Sequence, residues 1–106
     1  MSDAKSVVQT PALSLEQISF VLGDPTRWLV LRELAKGEAL PPVVLAARIG
    51  RTLHGVRKHL TSLRALGLVI VGYGRLYSLA PAYRPAPGTA TIDLGHGVIR
   101  LDTPLA

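Results

Sequence analysis

Residues 46–79, AARIGRTLHGVRKHLTSLRALGLVIVGYGRLYSL, decide the fold. Thr52 offers a hydroxyl to the free amides of a helical first turn, which is the chemistry of an N-cap. Behind it, Val56, Leu60 and Leu63, flanked by Leu53 and Leu66, recur at three- and four-residue steps and form one apolar stripe. Gly67 closes the helix as a residue that tolerates a left-handed conformation. At about 100° per residue, the arc opposite the stripe holds His54, Arg57, Lys58 and Thr61. A solvated face is the ordinary reading of such an arc, but ordinary surfaces mix signs. Between positions 39 and 92 there is no Asp or Glu, whereas Arg48, Arg51, Arg57, Lys58, Arg64, Arg75 and Arg84 all fall there.

The residues on either side sharpen the reading. Leu45, Ala46 and Ile49 make the apolar side of a short helix, and Gly50 permits a sharp turn into Thr52. Two helices joined through about three residues have helix-turn-helix spacing, in which the second helix enters a DNA major groove. After the second helix come a β-branched run, Val69, Ile70 and Val71, and a return strand of Leu76, Tyr77, Ser78 and Leu79, with Gly72, Tyr73 and Gly74 at the tip. Helix, turn, helix, hairpin is the order of a winged helix.

The run from Ile49 resembles the DNA-binding core of the ArsR-type winged-helix repressors. That pattern has a turn glycine, a small hydroxylated cap, Val, a His-Leu pair, Leu, a Gly-Leu-Val exit and a wing ending in an aromatic strand. Gly50, Thr52, Val56, His59 with Leu60, Leu63, Gly67 with Leu68 and Val69, and Tyr77 stand at those positions. The segment GDPTRWLVLRELAKGEALPPVVLAARIG extends the likeness, because these repressors typically open with an Asp-Pro-Thr-Arg segment before an apolar helix, so the resemblance covers about residues 14–80. It implies a homodimeric repressor of double-stranded DNA, a first helix that joins the dimer contact, and a third wing-sheet strand at Ala39 and Leu40. The family usually closes with a long dimerising helix, and here the sequence departs from it.

Residues 1–12 read as a loose arm with Lys5 as its only cation. Ser14 with Gln17 makes a capping box, and Leu15, Ile18, Phe20, Val21 and Leu22 follow as a broadly apolar helix ending at Gly23. Their spread suits a dimer contact and a buried core helix equally. Asp24 and Pro25 start the next helix, with Trp28, Leu29, Leu31 and Leu34 inward, Arg27 and Arg32 wet, and Gly37 at the end; Arg27 would meet a phosphate or pair with an acid. Pro41 and Pro42 begin a third helix. Pro81, Pro85 and Pro87 forbid a continuing helix. Residues 89–94 and 98–101 form a predicted hairpin around Gly95, His96 and Gly97, either a contact with a second copy or a cover for the wing sheet. The expected organisation is therefore an arm (1–12), a winged helix-turn-helix domain (13–80), and a Pro-rich linker with a C-terminal hairpin (81–106). The fold class is α+β, mainly helical, with three to four helices and a β-hairpin wing.

Composition narrows the function. The chain of 106 residues has a net charge of +5 and a pI near 10.3, which favours an anionic partner. It has no cysteine, hence neither disulfides nor thiolate chemistry. His54, His59 and His96 lack ligand spacing, so no metal site is expected, and the metal sensors of the resembled family use thiolate or carboxylate and histidine clusters. The acids are scattered, no nucleophile motif or phosphate loop is present, and neither an enzyme nor a cofactor is expected. No run has the length to cross a bilayer and no signal-peptide pattern opens the chain, so a cytoplasmic protein is expected.

The expected site is the second helix and the wing. His54, Arg57, Lys58 and Thr61 face base edges, with Leu53 at a thymine methyl. Arg51 and Arg64 hold phosphates, and the helix start capped by Thr52 lies near one. Arg75 reaches an adjacent minor groove or its backbone, and Tyr73 packs on sugar. The alternative is a winged-helix module that binds a protein without reading DNA. RNA is disfavoured, because Tyr73 and Tyr77 alone make no stacking platform. An effector is not legible, although the first helix and the C-terminal hairpin could enclose a pocket.

Overall fold

The computed structural model describes residues 12–102. Ala12 aside, the arm expected over residues 1–12 lies outside this range. Four helices come first: α1 (Leu15–Leu22), α2 (Pro25–Leu34), α3 (Pro42–Ile49) and α4 (Leu53–Ala65). The wing strands β1 (Val69–Val71) and β2 (Tyr77–Leu79) follow, and then β3 (Thr91–Asp93) and β4 (Val98–Arg100). The fold is the expected mainly helical α+β winged helix-turn-helix with an added C-terminal hairpin.

Local chemistry sets most boundaries. The Ser14 hydroxyl accepts from the Gln17 amide, and the Gln17 side chain accepts from the Ser14 amide, which completes the capping box of α1. Asp24 caps α2 through the Thr26 amide, with Pro25 in the first turn. Pro41 and Pro42 open α3. At the end of α4, the Leu68 amide donates to the Leu63 carbonyl and the Gly67 amide to that of Arg64, and Gly67 takes φ 83°. These paired bonds satisfy carbonyls that the helix end would otherwise leave open.

One core unites the helices with both hairpins. It contains Val21 of α1, Val30, Leu31 and Leu34 of α2, Leu45 of α3, and Val56, Leu60 and Leu63 of α4. Leu79 and Ile92 of the strands, with Leu68, Leu94 and Leu101 directly beside them, complete it. Helix α1 is not the buried core helix its composition allowed: Leu15, Phe20 and Leu22 are exposed, and among its residues only Val21 is buried.

In the wing, Val69 pairs with Leu79 and Val71 with Tyr77 in antiparallel register. Leu40 adds a single bridge on the other side of Tyr77, through amide–carbonyl bonds of 2.9 and 2.8 Å, so the third strand expected at Ala39 and Leu40 is reduced to one residue beside a two-stranded wing. The wing tip differs from expectation. It is a short 3₁₀ turn over Tyr73–Arg75, and its left-handed residues are Gly74 and Arg75 (φ 77° and 60°), while Gly72 is extended at φ −107°.

The C-terminal hairpin pairs Thr91 with Arg100 and Asp93 with Val98, a shorter ladder than predicted. It forms a sheet of its own and does not extend the wing. Ile92, Leu94 and Leu101 are buried, and the Leu13 amide donates to the Leu94 carbonyl at 3.0 Å, tying the hairpin to the entry of α1. Gly95 sits where this tie is tightest: it holds φ 98°, and a Cβ there would lie 2.5 Å from the Ala12 Cβ. Replacing Gly95 by Ala is therefore expected to lower the unfolding free energy by about 1 to 3 kcal/mol, measured by urea denaturation. An unchanged midpoint would show that the hairpin is not docked on the α1 entry.

Candidate nucleic-acid interface

Thr52, Gly55 and the apolar stripe place α4. The Thr52 hydroxyl accepts from the Gly55 amide at 3.1 Å. A Cβ on Gly55 would stand 3.0 Å from that hydroxyl, so the absence of a side chain keeps the cap close. Val56, Leu60 and Leu63 are fully buried, and Leu53 and Leu66 pack half-buried beside them. The remaining arc points away from the core, and His54, Arg57, Lys58, Thr61 and Arg64 are exposed on it. Arg51 and Thr52 are exposed at its start, and Tyr73 and Arg75 at the wing, with Tyr73 free of any cover.

The structure brings the sequence-predicted residues onto one surface but differentiates them. Leu53 gives part of its side chain to the core. The Arg51 Nε donates to the Thr26 hydroxyl at 3.1 Å, which leans this side chain toward α2. The Thr61 hydroxyl donates to the Arg57 carbonyl at 3.0 Å, so its proton is spent within the helix and it offers an oxygen lone pair and a methyl outward.

Charge is partitioned with equal clarity. Arg48 pairs with Glu38 at 2.8 Å and Glu33 at 3.4 Å, Lys36 with Glu33 at 3.1 Å, and Arg100 with Asp102 at 3.3 Å. Hydrogen bonding to Arg48 holds the Glu38 carboxyl below its ordinary range. Arg84 donates to the Leu79 carbonyl and Arg32 lies over the Trp28 ring. Among the described residues, Arg57, Lys58, Arg64 and Arg75 have no hydrogen-bond, ion-pair or ring partner for their cationic groups, and all four belong to α4 or the wing.

Behind this face, His59 joins α4 to the start of α2, a contact that sequence reading missed. It lies at the edge of the apolar stripe, with 13% of its side chain exposed. Its Nδ1 meets the Arg27 guanidinium at 3.2 Å and its Nε2 lies 3.4 Å from the Asp24 carboxylate. An arginine can only donate, so Nδ1 accepts and the ring proton sits on Nε2, directed at Asp24. Arg27 also donates to the Phe20 carbonyl at 2.8 Å and covers the Phe20 ring at 3.9 Å. The Arg27 guanidinium is thus engaged within the protein and only partly exposed, where sequence reading had it wet. A signal was present in the Asp-Pro-Thr-Arg and His-Leu pairs, but nothing local connects residues 32 apart.

A family model described as a helix-turn-helix domain matches residues 22–72, from the end of α1 to the wing turn. The HTH-type transcriptional regulators CmtR of Mycobacterium bovis and Mycobacterium tuberculosis are 40% identical over 93 residues, covering 85% of this chain and 75% of theirs. The chain belongs to the helix-turn-helix transcriptional regulators. The NMR structure of the cadmium metal-sensor CMTR from Mycobacterium tuberculosis superposes with a TM-score of 0.53 at 42% identity, over 62% of this chain and 71% of that one.

Among the described residues no donor set suited to such a metal is present. Cadmium is a soft ion that thiolates select, and the sequence contains no cysteine. The described residues include no group of three or more His, Asp or Glu placed to hold an ion. A cavity of about 410 Å³ lies between α2, at Arg32, Ala35 and Lys36, and the ends of the C-terminal hairpin, at Thr89, Ala90, Leu101 and Asp102.

His59 gives the regulator a defined pH dependence. Burial, with Arg27 and Lys58 adding to it against the pull of Asp24, holds the imidazole below the ordinary histidine value. The unfolded chain then binds more protons as pH falls below about 6.5, so stability present above that pH is lost on acidification until the folded value is passed. Thermal melts of the native protein should shift downward between about pH 7.5 and 5.5, and His59→Gln should flatten that slope. Parallel slopes for the two proteins would show that His59 is not held neutral.

Proposed function

We propose that this chain is an ArsR-type transcriptional regulator, acting as a homodimeric repressor that binds double-stranded DNA in a sequence-specific manner in the cytoplasm. The observation that supports it most is the coincidence of two independent features: α4 stands proud of the core on its polar arc, and the cations lacking internal partners lie on that arc and the adjoining wing. In this reading α4 enters the major groove. His54, Arg57, Lys58 and Thr61 face the duplex, and Leu53 offers its exposed edge to a thymine methyl. Arg51, Arg64 and the capped helix start at Thr52 meet phosphates. Tyr73 packs on sugar, and Arg75 reaches the neighbouring strand or groove.

A second copy is supported by α1, where Leu15, Phe20 and Leu22 stay exposed although the helix is firmly capped. The C-terminal hairpin, with Val98 exposed, offers further apolar surface for the same contact. A dimer would place its α4 helices on half-sites about one helical turn, roughly 34 Å, apart.

Salt dependence of affinity tests the reading against a protein-binding module with the same fold. If three or four cations per subunit displace counterions, the dimer neutralises about six to eight phosphates, and log affinity should fall with log salt at a slope of roughly −5 to −7. Absence of any mobility shift on duplex DNA at low salt would instead favour the protein-binding module. Lys58→Ala should weaken binding to the preferred duplex by about 1 to 3 kcal/mol and relax selection at one base position; unchanged selectivity would remove Lys58 from base reading.

A further inference from the structure

A cleft of about 360 Å³ runs between α4 and the wing. One wall is Arg57 and Thr61 of α4, the other is Gly74 and Arg75 of the wing, and Pro42 and Val43 at the start of α3 line it as well. Its place in the fold restricts what can enter. A helix in a major groove and a wing over the adjacent minor groove are separated by one sugar–phosphate strand, because that strand is the wall between the two grooves. A protein that engages both must leave a slot for it.

The chemistry of the slot matches such an occupant. Guanidinium groups stand on both walls, neither has a partner among the described residues, and no acid occurs between positions 39 and 92 to compete. Measured from Val56 at about 100° per residue, Lys58 and His54 lie at roughly 200° and 160°, on the crest of the exposed arc, whereas Arg57 lies at roughly 100°, on the flank. That flank is the one that lines the cleft. Arg75 is the one non-glycine with positive φ among the described residues, at 60°. An arginine held in a conformation that L residues disfavour is a local strain that structures retain at functional positions. Val43, 58% exposed, offers an apolar surface suited to deoxyribose.

We propose that this cleft seats one phosphodiester strand of the duplex, clamped by Arg57 from the helix and Arg75 from the wing, so that Arg57 sets affinity and register while base selection falls to His54 and Lys58. This rests on the DNA-binding reading above and alters one of its parts: Arg57 leaves the base-reading set suggested by the helical wheel.

The experiment is fluorescence anisotropy with a duplex selected by the full-length protein, a panel of single base-pair variants of it, and duplexes carrying one neutral methylphosphonate at each successive position. Arg57→Ala is expected to weaken binding about tenfold to a hundredfold on every duplex alike, and to reduce the salt slope by about one per subunit, as loss of a phosphate contact does. Arg57→Lys should restore most of the affinity, because a phosphate accepts a point charge. Arg75→Gly should also weaken all duplexes alike. Both side chains are exposed and unpartnered, and glycine suits the left-handed backbone at position 75, so unfolding does not confound either variant. The methylphosphonate that weakens the native protein most should lose its effect in both Arg57→Ala and Arg75→Gly, at the same phosphate or its immediate neighbour. Relaxed selection at a single base pair in Arg57→Ala, or sensitivity of the two variants to phosphates far apart, would overturn the clamp while leaving DNA binding intact. A native protein that binds no duplex would overturn the DNA-binding reading itself, and the clamp with it.

Discussion

Burial of Val56, Leu60 and Leu63 along one line of α4 is the constraint from which the interface follows. A helix is a rod, and fixing which arc faces the core also fixes which arc faces away. Each of these side chains contributes about 1.5 to 3 kcal/mol when removed from water. Rolling the rod by a quarter turn would expose them and carry Arg57 and Arg64 toward the core, where an unpaired charge is far more costly than an exposed leucine. The direction of the cationic arc is thus set by apolar packing, with no contribution needed from the cations themselves.

Rotation is not the only freedom of a rod, and polar contacts restrain the rest. His59 links α4 to Asp24 and Arg27 at the start of α2, and Arg27 reaches on to Phe20 at the end of α1. On the other flank, Leu40 pairs with Tyr77 ahead of α3, which holds the wing against the helical body. Tyr77 is buried and shared between Val71 and Leu40, so the wing stands at a fixed distance from α4. The cleft between them is therefore preformed, and binding into it does not have to bear the ordering of a loose hairpin.

How much of this was legible in the chain depended on the range of the chemistry. The caps at Ser14, Asp24 and Thr52 and the stop at Gly67 each involve groups within a few residues, and the sequence displays both partners together. The apolar stripe of α4 was equally visible, since its period is that of the helix. The Arg27–His59 contact was not, because no local rule brings together groups on different helices. The wing tip shows a third case: glycines marked the turn, yet the left-handed positions went to Gly74 and Arg75, since register between Val71 and Tyr77 decides where the turn must reverse. The C-terminal strands were recognisable by pattern, but their docking at the α1 entry depends on the tertiary contact of Gly95 with Ala12.

Net charge alone says little about where a partner would sit, and the pairing within this molecule says much more. Glu33, Glu38 and Asp102 engage Lys36, Arg48 and Arg100 away from the cationic arc, and carbonyls or rings occupy Arg27, Arg84 and Arg32. A cation already bound to a carboxylate must break that bond before meeting a phosphate, and the exchange gains little. Arg57, Lys58, Arg64 and Arg75 have no such bond to lose, so displacement of solvent counterions by a polyanion is available to them in full. The cations without an internal partner are therefore gathered on α4 and the wing, and the acids that hold Lys36, Arg48 and Arg100 are as much a part of that arrangement as the cations left unpaired.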